Sequence, residues 1–518
     1  MSAIRKVMTE PKVGTFILVI MLLSLGWLLD KFFSVNFFWP GYISIIVFYG
    51  LIFYVASNVS SPSSADPMLA RKSLPLWLAV FTMSATWVGG GFINGSAEYT
   101  YSSGLVWVQA PWGYALSLIL GGLIFARPMR DKGYTTLLDP ILQKFGTNKS
   151  ILYYLPALMG DVFWTSAILV ALGTTFGTIL GVGPELSIVI SAVVVIIYTA
   201  MGGLWAVAVT DVIQLIILIF GLLLTLPFLL KTDAGVITVW GEYKKDWGAA
   251  ASFFPSKAAL GNQWALWWDY ALLLVMGGIP WQVYFQRVLA AKTSNVAVRL
   301  SVVSGFVCLV AAVPAILIGI VGFTTDWQAL GLPLPPDDSS ILPHVIRYLT
   351  NPVVATIGLG AIAAAVMSSA DSSILSSSTL TVWNVLRKPA EAVDQKQIGS
   401  HLKKAIWVIG IACTLIALNV RSIYELWVLC SDLVYCLLFP ALVTALFDRH
   451  ANGVGAVSGF VVALFLRLGG GEPVFGLPPF LAYPMDVDGT ILVPFRTIAM
   501  LSGLTTIVVV SRLVKVKS

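Results

Sequence analysis

Serine hydroxyls crowd around a single carboxylate in one apolar stretch of the chain. Residues 363–378 read AAAVMSSADSSILSSS, so that seven serines flank Asp371. Hydroxyl, carbonyl and carboxylate oxygens are the ligands of hard cations, and a monovalent cation such as sodium suits them better than it suits thiolates or imidazoles. Serines in helices also bond back to helix carbonyls, which accounts for many such runs without a ligand but does not explain Asp371. The stretch therefore indicates a cation site.

Three tryptophans stand beside features that could open a pocket. Trp87 comes just before three consecutive glycines, Trp281 follows a Gly-Gly-Ile-Pro sequence, and Trp164 follows a Gly-Asp pair. A quaternary ammonium group has no N–H to donate, so proteins hold it through the faces of aromatic rings. These tryptophans favour a cage for an organic cation, although sugar, amino-acid and vitamin pockets also use tryptophan.

The composition requires that lipid surrounds these residues. Of the 518 residues, 58% are hydrophobic and only 11% are charged, and the mean hydropathy is +0.88. A water-soluble domain of this size does not have that balance. About 20 apolar residues span the hydrocarbon core as a helix, and runs of that kind recur to give fourteen candidate spans. We expect an all-α polytopic membrane protein.

Two of the spans contain sequences that interrupt a helix. The third carries glycines at 89–91, and the eighth carries Gly-Gly-Ile-Pro at 277–280, whose proline cannot donate a helical hydrogen bond. In lipid, a helix is interrupted only where its backbone faces protein or a water-filled cavity. The two spans are five apart, as the first helices of two inverted five-helix repeats would be. Glycines also serve close helix packing, but matched breaks favour a transport site.

The spans group into five regions along the chain. We expect an extra N-terminal helix at 1–36, a further helix and cytoplasmic loop at 37–73, inverted repeats at 74–230 and 263–446, and C-terminal helices at 447–518.

The basic residues set the expected orientation. With a cytoplasmic N-terminus, most of the 31 lysines and arginines fall on the cytoplasmic side, so both termini are expected to be cytoplasmic. The apolar run at 13–29 follows Arg5, Lys6 and Lys12, as a secretory signal would. No small-residue cleavage site follows it, and we interpret it as a retained span.

Acidic residues inside membrane spans are rare and are functional candidates by default. Four aspartates meet that description: Asp161, Asp211, Asp269 and Asp371.

The same residues argue against an enzyme. A hydrolase that used Ser369 and Asp371 would lack a general base, because no histidine lies in a candidate span. The cysteines and histidines have no metal-ligand spacing, and the basic residues form no stripe that nucleic acid would need. A transporter-like sensor would need an appended signalling domain. We therefore expect a transporter without a cofactor.

Six stretches of the chain resemble the sodium:solute symporter family, and within it the members that carry choline. They are FTMSATWVGGG (81–91), APWGYALSLILGG (110–122), LPALMG (155–160), GGIPWQVYFQRV (277–288), PAILIG (314–319) and VMSSADSSILS (366–376). The resemblance, which runs from about residue 40 to 510, implies thirteen spans with a LeuT-like 5+5 inverted-repeat core and two broken helices. Since the run at 13–29 is additional, 13–14 transmembrane helices are expected.

The resemblance also implies the substrate and the ions. The substrate is expected to be choline, coupled to sodium and dependent on chloride, in the plasma membrane of the cell. By residue position, the choline cage is expected to comprise Trp87, Tyr114, Trp164 and Trp281. The oligomeric state is not implied by these residues.

The sodium sites follow in the same way. One sodium is expected at the backbone around Ser84 and Trp87, the backbone of Ala365, and the hydroxyls of Ser368 and Ser369. A second sodium is expected near Asp211 and Ser372. The alternative within the family is a sodium symporter for betaine, proline, a sugar or a vitamin.

Overall fold

The computed structural model describes residues 11–33, 38–59, 68–180, 183–230, 235–387, 395–420, 423–472, 476–485 and 491–514. Nearly all of these residues are helical, and the described parts of the chain contain isolated β-bridges but no strand. Within them, eight helices are long and apolar enough to cross a membrane, or nine if one bent pair is counted as a single span. The prediction of an all-α polytopic membrane protein is confirmed. The predicted cytoplasmic ends, with Arg5 and Lys6, lie outside the described residues.

In the first half of the chain, the described residues form nine principal helices. They are α1 (Pro11–Phe33), α2 (Trp39–Val59), α3 (Leu76–Trp87), α4 (Gly90–Ser102), α5 (Ala110–Leu120), α6 (Asp139–Phe145), α7 (Thr147–Leu180), α8 (Pro184–Leu229) and α9 (Gly235–Trp247). Helix α5 continues through a π-helical turn at Gly121–Ala126 into Arg127–Asp131.

The part of the second half that the structure describes forms ten principal helices. They are α10 (Trp264–Gly277), α11 (Gln282–Ala290), α12 (Ser294–Thr324), α13 (Ile341–Leu349), α14 (Pro352–Thr381), α15 (Gln395–Asn419), α16 (Ile423–Leu433), α17 (Phe439–Phe447), α18 (Gly453–Gly469) and α19 (Phe495–Leu513). A π-helical turn at Val434–Leu438 joins α16 to α17.

The third predicted span is broken where its glycines stand. Helix α3 ends at Trp87, Val88 and Gly89 have non-helical backbone angles, and α4 leaves at 48° to α3. A β-carbon on Gly89 would lie 1.7 Å from the Ser369 hydroxyl oxygen, and one on Gly90 would lie 2.3 Å from a methyl carbon of Val366. Glycine is needed here because the broken backbone lies directly against α14.

The eighth predicted span is broken at the matching place. Helix α10 ends at Gly277, and α11 begins at Gln282 after Trp281, whose backbone is extended. Proline at 280 cannot donate a hydrogen bond, which prevents an uninterrupted helix through this segment. Both predicted breaks are confirmed, and each leaves backbone groups in the protein interior.

The boundary predicted between the sixth and seventh spans is a break within one long helix. The spans expected at 186–201 and 207–230 join end to end in α8, which is interrupted at Gly203. The φ and ψ of Gly203 are 62° and −178°, a conformation that is available almost only to glycine.

Helix α14 lies at the centre of the molecule. It packs against α7, α8 and both halves of the broken third span, and nearly every residue from Val354 to Leu380 is buried. The additional helix α1 lies at the periphery against α2. There the Tyr42 hydroxyl donates to the Leu22 carbonyl oxygen at 2.6 Å, and the Trp39 indole N–H donates to Asp30 at 2.9 Å. The five-region division of the chain stays a prediction.

Candidate functional site

The aromatic residues expected to form the cage lie together between the two helix breaks. The ring centre of Trp164, on α7, lies 6.0 Å from that of Trp87 and 5.4 Å from that of Trp281. The ring centre of Trp87 lies 6.4 Å from that of Tyr114, on α5. The ring planes are inclined to one another by 59–80°. Such tilted rings present several faces to one small volume.

These rings line a narrow cavity that ends on α14. Its walls also include Gly89 and Gly91 of the first break and Ser369 of α14. Only about 20 Å³ inside it can hold the centre of a water molecule, which is room for about one water. A trimethylammonium group is larger than that. The rings must therefore separate before an organic cation can enter.

Sequence reasoning missed two aromatic residues that complete this arrangement. Trp427 of α16 lines the cavity, and its ring centre lies 5.2 Å from that of Tyr114. Tyr284 lies one turn after Trp281, and its ring centre lies 6.0 Å from that of Trp87. The position of Tyr284 beside Trp281 was a usable signal. Trp427 stands near the end of a predicted span, where a tryptophan is typical of the membrane interface, so no pattern in the sequence singled it out.

Most polar atoms of the cage are used within the protein. The indole N–H of Trp281 donates to the Gly277 carbonyl oxygen at 2.7 Å, and the Tyr114 hydroxyl is 3.0 Å from the hydroxyl of Ser431. The indole N–H of Trp87 is buried and has no acceptor among the described residues. The cage thus combines aromatic faces with one unused hydrogen-bond donor.

The expected first sodium ligands meet where α14 touches the end of α3. The Ser368 hydroxyl lies 2.9 Å from the carbonyl oxygens of Ala85 and Ala365, and the Ser369 hydroxyl lies 2.8 Å from that of Thr86. All of these groups are buried. The Ala85 and Thr86 carbonyls belong to the last helical turn of α3, where the break removes the next turn of donors.

Ser84 makes no contact with α14 of the kind that Ala85 and Thr86 make. Its carbonyl oxygen accepts the Val88 N–H at 2.8 Å, and its buried hydroxyl has no hydrogen-bond partner in the described parts of the chain. The carbonyls that reach α14 lie between the two expected positions, at 85 and 86. The sodium assignment itself stays a prediction.

The residues expected for the second sodium surround a buried arginine. Arg287 of α11 lies 3.8 Å from the Asp211 carboxylate and donates to the Ser372 hydroxyl at 2.5 Å. Asp211 also accepts from the Thr82 hydroxyl at 2.5 Å. Arg287 faces Asp371 too, whose two carboxylate oxygens make no hydrogen bond of normal geometry with the described residues. All five ionic and hydroxyl side chains at this point are fully buried.

This cluster holds more acidic than basic side chains. Two carboxyl groups face one guanidinium, and one oxygen of Asp211 is buried without a hydrogen-bond partner among the described residues. Buried charges are costly unless they are paired. The arrangement can accept one further cation.

Asp269 belongs to a different and structural cluster. Two buried arginines bridge three acidic residues: Arg496 lies 3.4 Å from Asp269 and 2.9 Å from Asp432, and Arg467 lies 2.5 Å from both Asp432 and Glu472. The Asp269 carboxylate also accepts the backbone N–H of residue 497 at 2.7 Å. The cluster ties α10 and α16 to the C-terminal helices α18 and α19. Its carboxylates are saturated, so Asp269 is not a free ligand.

We expect Arg467→Ala to reduce stability strongly, because it leaves the Asp432 and Glu472 carboxylates buried with one fewer cation. Breaking a buried ion pair typically costs about 3–5 kcal/mol. Arg512→Ala is the control, since Arg512 pairs with Asp448 at 3.1 Å but is half exposed, and such pairs contribute about 0–1 kcal/mol. Thermal unfolding of both purified variants in detergent measures the difference. Equal melting temperatures would contradict the structural role.

Two larger cavities lined by described residues lie away from these groups. One of about 520 Å³ opens between α1, α2 and α8, and one of about 380 Å³ opens between α8 and α12. The described residues that line them are almost all aliphatic or aromatic, and none is charged. Such grooves are expected where hydrocarbon chains contact the protein. The small aromatic cavity is the one beside the polar groups.

Known proteins share both the sequence and the fold of this chain. The sodium:solute symporter family model matches residues 68–463. High-affinity choline transporter 1 of Drosophila melanogaster is 45% identical, over 91% of this chain and 78% of that protein. The human protein of the same name is 44% identical, over 92% of this chain and 85% of that protein.

A solved structure has the same fold. A Na⁺-coupled sialic acid symporter in an outward-open state matches with a TM-score of 0.75, over 92% of this chain and 98% of that one, at 19% identity. At 19% identity, this match shows that the two proteins share a fold and nothing more. The family match over most of the chain and the high identity to the two transporters have a direct consequence: this chain belongs to the sodium:solute symporter family.

Proposed function

We propose that this protein carries choline across a membrane together with sodium, by alternating access. The observation that carries the proposal is the cage of Trp87, Tyr114, Trp164, Trp281 and Trp427 between two broken helices. Relatives that are 42–45% identical and are named high-affinity choline transporters support the same substrate.

The chemistry of the cage suits choline better than a sugar. The trimethylammonium group of choline needs ring faces, each worth about 0.5–2 kcal/mol, and choline has a single hydroxyl. The cage offers many ring faces and, at Trp87, one unused N–H donor. A sugar would require partners for several hydroxyls, since buried polar groups left unpaired are costly. Betaine shares the trimethylammonium group and is the closest competitor.

The oxygen cluster at α3 and α14 supports sodium coupling. A set of neutral oxygens meets here and could replace the water molecules around a sodium ion. They are the hydroxyls of Ser368 and Ser369 and the carbonyls of Ala85, Thr86 and Ala365. Ser369 also lines the aromatic cavity. Sodium at this point would hold α14 to the first break and thereby shape the wall of the cage. Binding of the two solutes would then be coupled.

A second sodium is proposed at the arginine cluster. When both are ionised, Asp211 and Asp371 together exceed the charge of Arg287 by one, and Ser372 supplies a neutral oxygen nearby. A single sodium would balance that charge. Two of its members, Asp371 and Ser372, lie on α14 about one turn from Ser368 and Ser369 of the first site.

We expect Ser369→Ala to raise the sodium concentration for half-maximal uptake by about tenfold, because a neutral oxygen that meets a charged group contributes about 1.5–3 kcal/mol. Ser377→Ala is the matched control on the same helix, since the Ser377 hydroxyl bonds only to carbonyls of α14 itself, at residues 373 and 374. Uptake measured against sodium concentration gives both values. An equal sodium dependence in the two variants would remove Ser369 from the site.

Purified protein in proteoliposomes tests the function as a whole. Choline uptake is expected to require an inward sodium gradient, to rise with an inside-negative voltage, and to stop when lithium or a large organic cation replaces sodium. Sodium-independent uptake would contradict the coupling. Uptake of betaine, proline, a sugar or a vitamin in place of choline would overturn the substrate. Replacement of chloride by gluconate tests the chloride dependence that the family resemblance implies, and unchanged uptake would exclude it.

The cellular location is part of the proposal. We expect the protein in the plasma membrane with both termini in the cytoplasm. Protease access to terminal epitope tags on intact and permeabilised cells tests this orientation, and cleavage in intact cells would contradict it.

A further inference from the structure

One of the four aspartates singled out by sequence differs from the others in its charge environment. Asp211 and Asp371 face Arg287, and Asp269 faces Arg496. Asp161, on α7, is 1% exposed. Among the described residues, no lysine, arginine or histidine makes an ion pair with it.

The neighbours of Asp161 are neutral hydroxyls. The Ser376 hydroxyl of α14 donates to the Asp161 carboxylate at 3.2 Å. The Thr165 and Ser373 hydroxyls lie 2.7 and 3.2 Å from its backbone carbonyl oxygen, and 2.6 Å from each other. These contacts fix the carboxylate between α7 and α14. They do not supply a positive charge to balance it.

Asp161 lies directly beside the cage. Trp164 follows it by three residues on the same helix, so the two side chains share a face and are separated by about 4.5 Å along the axis. The preceding residue, Gly160, is so close to the cage that a β-carbon added there would lie 3.9 Å from the ring of Trp281. A cation in the cage would therefore lie on the order of 10 Å from this carboxylate, close enough for the two charges to attract each other.

We propose that Asp161 supplies the negative charge that balances a quaternary ammonium ion in the cage, and so makes the site selective for a cation over a zwitterion. The inference rests on the proposed function and deepens it. Choline carries one net positive charge, whereas betaine carries its own carboxylate and has no net charge. A fixed carboxylate beside the cage attracts the first and gains little from the second. Aromatic faces alone would not separate them, because both solutes present the same trimethylammonium group.

The experiment compares two solutes of the same shape. In 3,3-dimethyl-1-butanol, carbon replaces the nitrogen of choline, so the molecule keeps the size and the hydroxyl but has no charge. Asp161→Asn keeps the side-chain shape and can still accept from Ser376. Competition by unlabelled choline, betaine and 3,3-dimethyl-1-butanol is measured against labelled choline uptake in proteoliposomes, for the wild type, for Asp161→Asn, and for Asp246→Asn as a matched change at an exposed aspartate.

Asp161→Asn is expected to weaken the binding of choline about tenfold. This corresponds to the loss of a charge pair on the order of 10 Å apart at an effective dielectric constant of about 20. Competition by 3,3-dimethyl-1-butanol is expected to stay unchanged, and betaine is expected to gain relative to choline. Asp246→Asn should match the wild type.

Two results would overturn the inference. An equal loss of binding for choline and for its uncharged analogue in Asp161→Asn would make Asp161 a structural residue. No loss of binding for either solute would mean that its carboxyl is uncharged. A wild-type protein that fails to take up choline would instead overturn the proposed function. In that case the same competition can be read from quenching of tryptophan fluorescence by each solute, so the two failures remain distinguishable.

Discussion

Uptake driven by sodium is expected to fall by roughly a hundredfold when Gly89 is replaced by alanine. The added β-carbon would lie 1.7 Å from the Ser369 hydroxyl oxygen and 2.5 Å from the Ser369 β-carbon. Both atoms are fixed by the packing of α14, so the break between α3 and α4 must move. Overpacking of this kind costs about 1–3 kcal/mol, and here the displaced groups line both the cage and the proposed sodium site. The loss is therefore expected in transport more than in folding.

Gly95 provides the matched control on the same broken span. A β-carbon on Gly95 meets no atom within 4 Å, and alanine is the better helix former by about 1 kcal/mol. Gly95→Ala is thus expected to transport like the wild type and to be at least as stable. Initial uptake rates and melting temperatures of both variants measure the contrast. Normal uptake by Gly89→Ala would show that the contact with Ser369 is dispensable.

Replacement of Trp164 by alanine is expected to raise the choline concentration for half-maximal uptake by roughly thirtyfold. Trp164 is the ring that joins the others, since it contacts both Trp87 and Trp281. Loss of one desolvated cation–π face costs about 2 kcal/mol, which corresponds to that change in affinity. Trp164→Phe keeps a ring face and is expected to lose much less.

Trp268 is the control for the loss of a tryptophan as such. It is 43% exposed and lies on α10, outside the residues that line the cavity. Trp268→Ala is expected to keep its choline dependence. Uptake as a function of choline concentration at saturating sodium measures all three variants. Similar half-saturation values for Trp164→Ala and Trp268→Ala would mean that the cage does not bind the substrate.

Local signals in the sequence predicted the two helix breaks. Consecutive glycines and a proline weaken a helix wherever they stand, and lipid allows such a weakness only next to protein or a cavity. The predictions at 89–91 and 277–280 depended on no distant residue, and both breaks lie there. The spans at 186–201 and 207–230 were also found, but not the junction at Gly203, because one glycine between apolar runs does not reveal its backbone angles.

The partners of the four aspartates could not be predicted from the sequence. Residue type and an apolar environment made all four equal candidates. Asp269 is held by Arg496, which is 227 residues away, and Asp211 by Arg287 on another helix, whereas Asp161 has no such partner among the described residues. The same limit applies to Trp427, which contacts Tyr114 from α16, far along the chain.

The sequence by itself determined that this protein is embedded in a lipid bilayer, that two of its helices are broken, and which types of residue could bind a cation. Those conclusions rest on composition and on backbone preferences, which act within a few residues. The tertiary structure alone decided which carboxylates are neutralised, which carbonyls meet the serines of α14, and which rings share one cavity. The reason is physical: charge balance and ring contacts depend on distances between helices that are far apart in the chain, and only packing sets those distances.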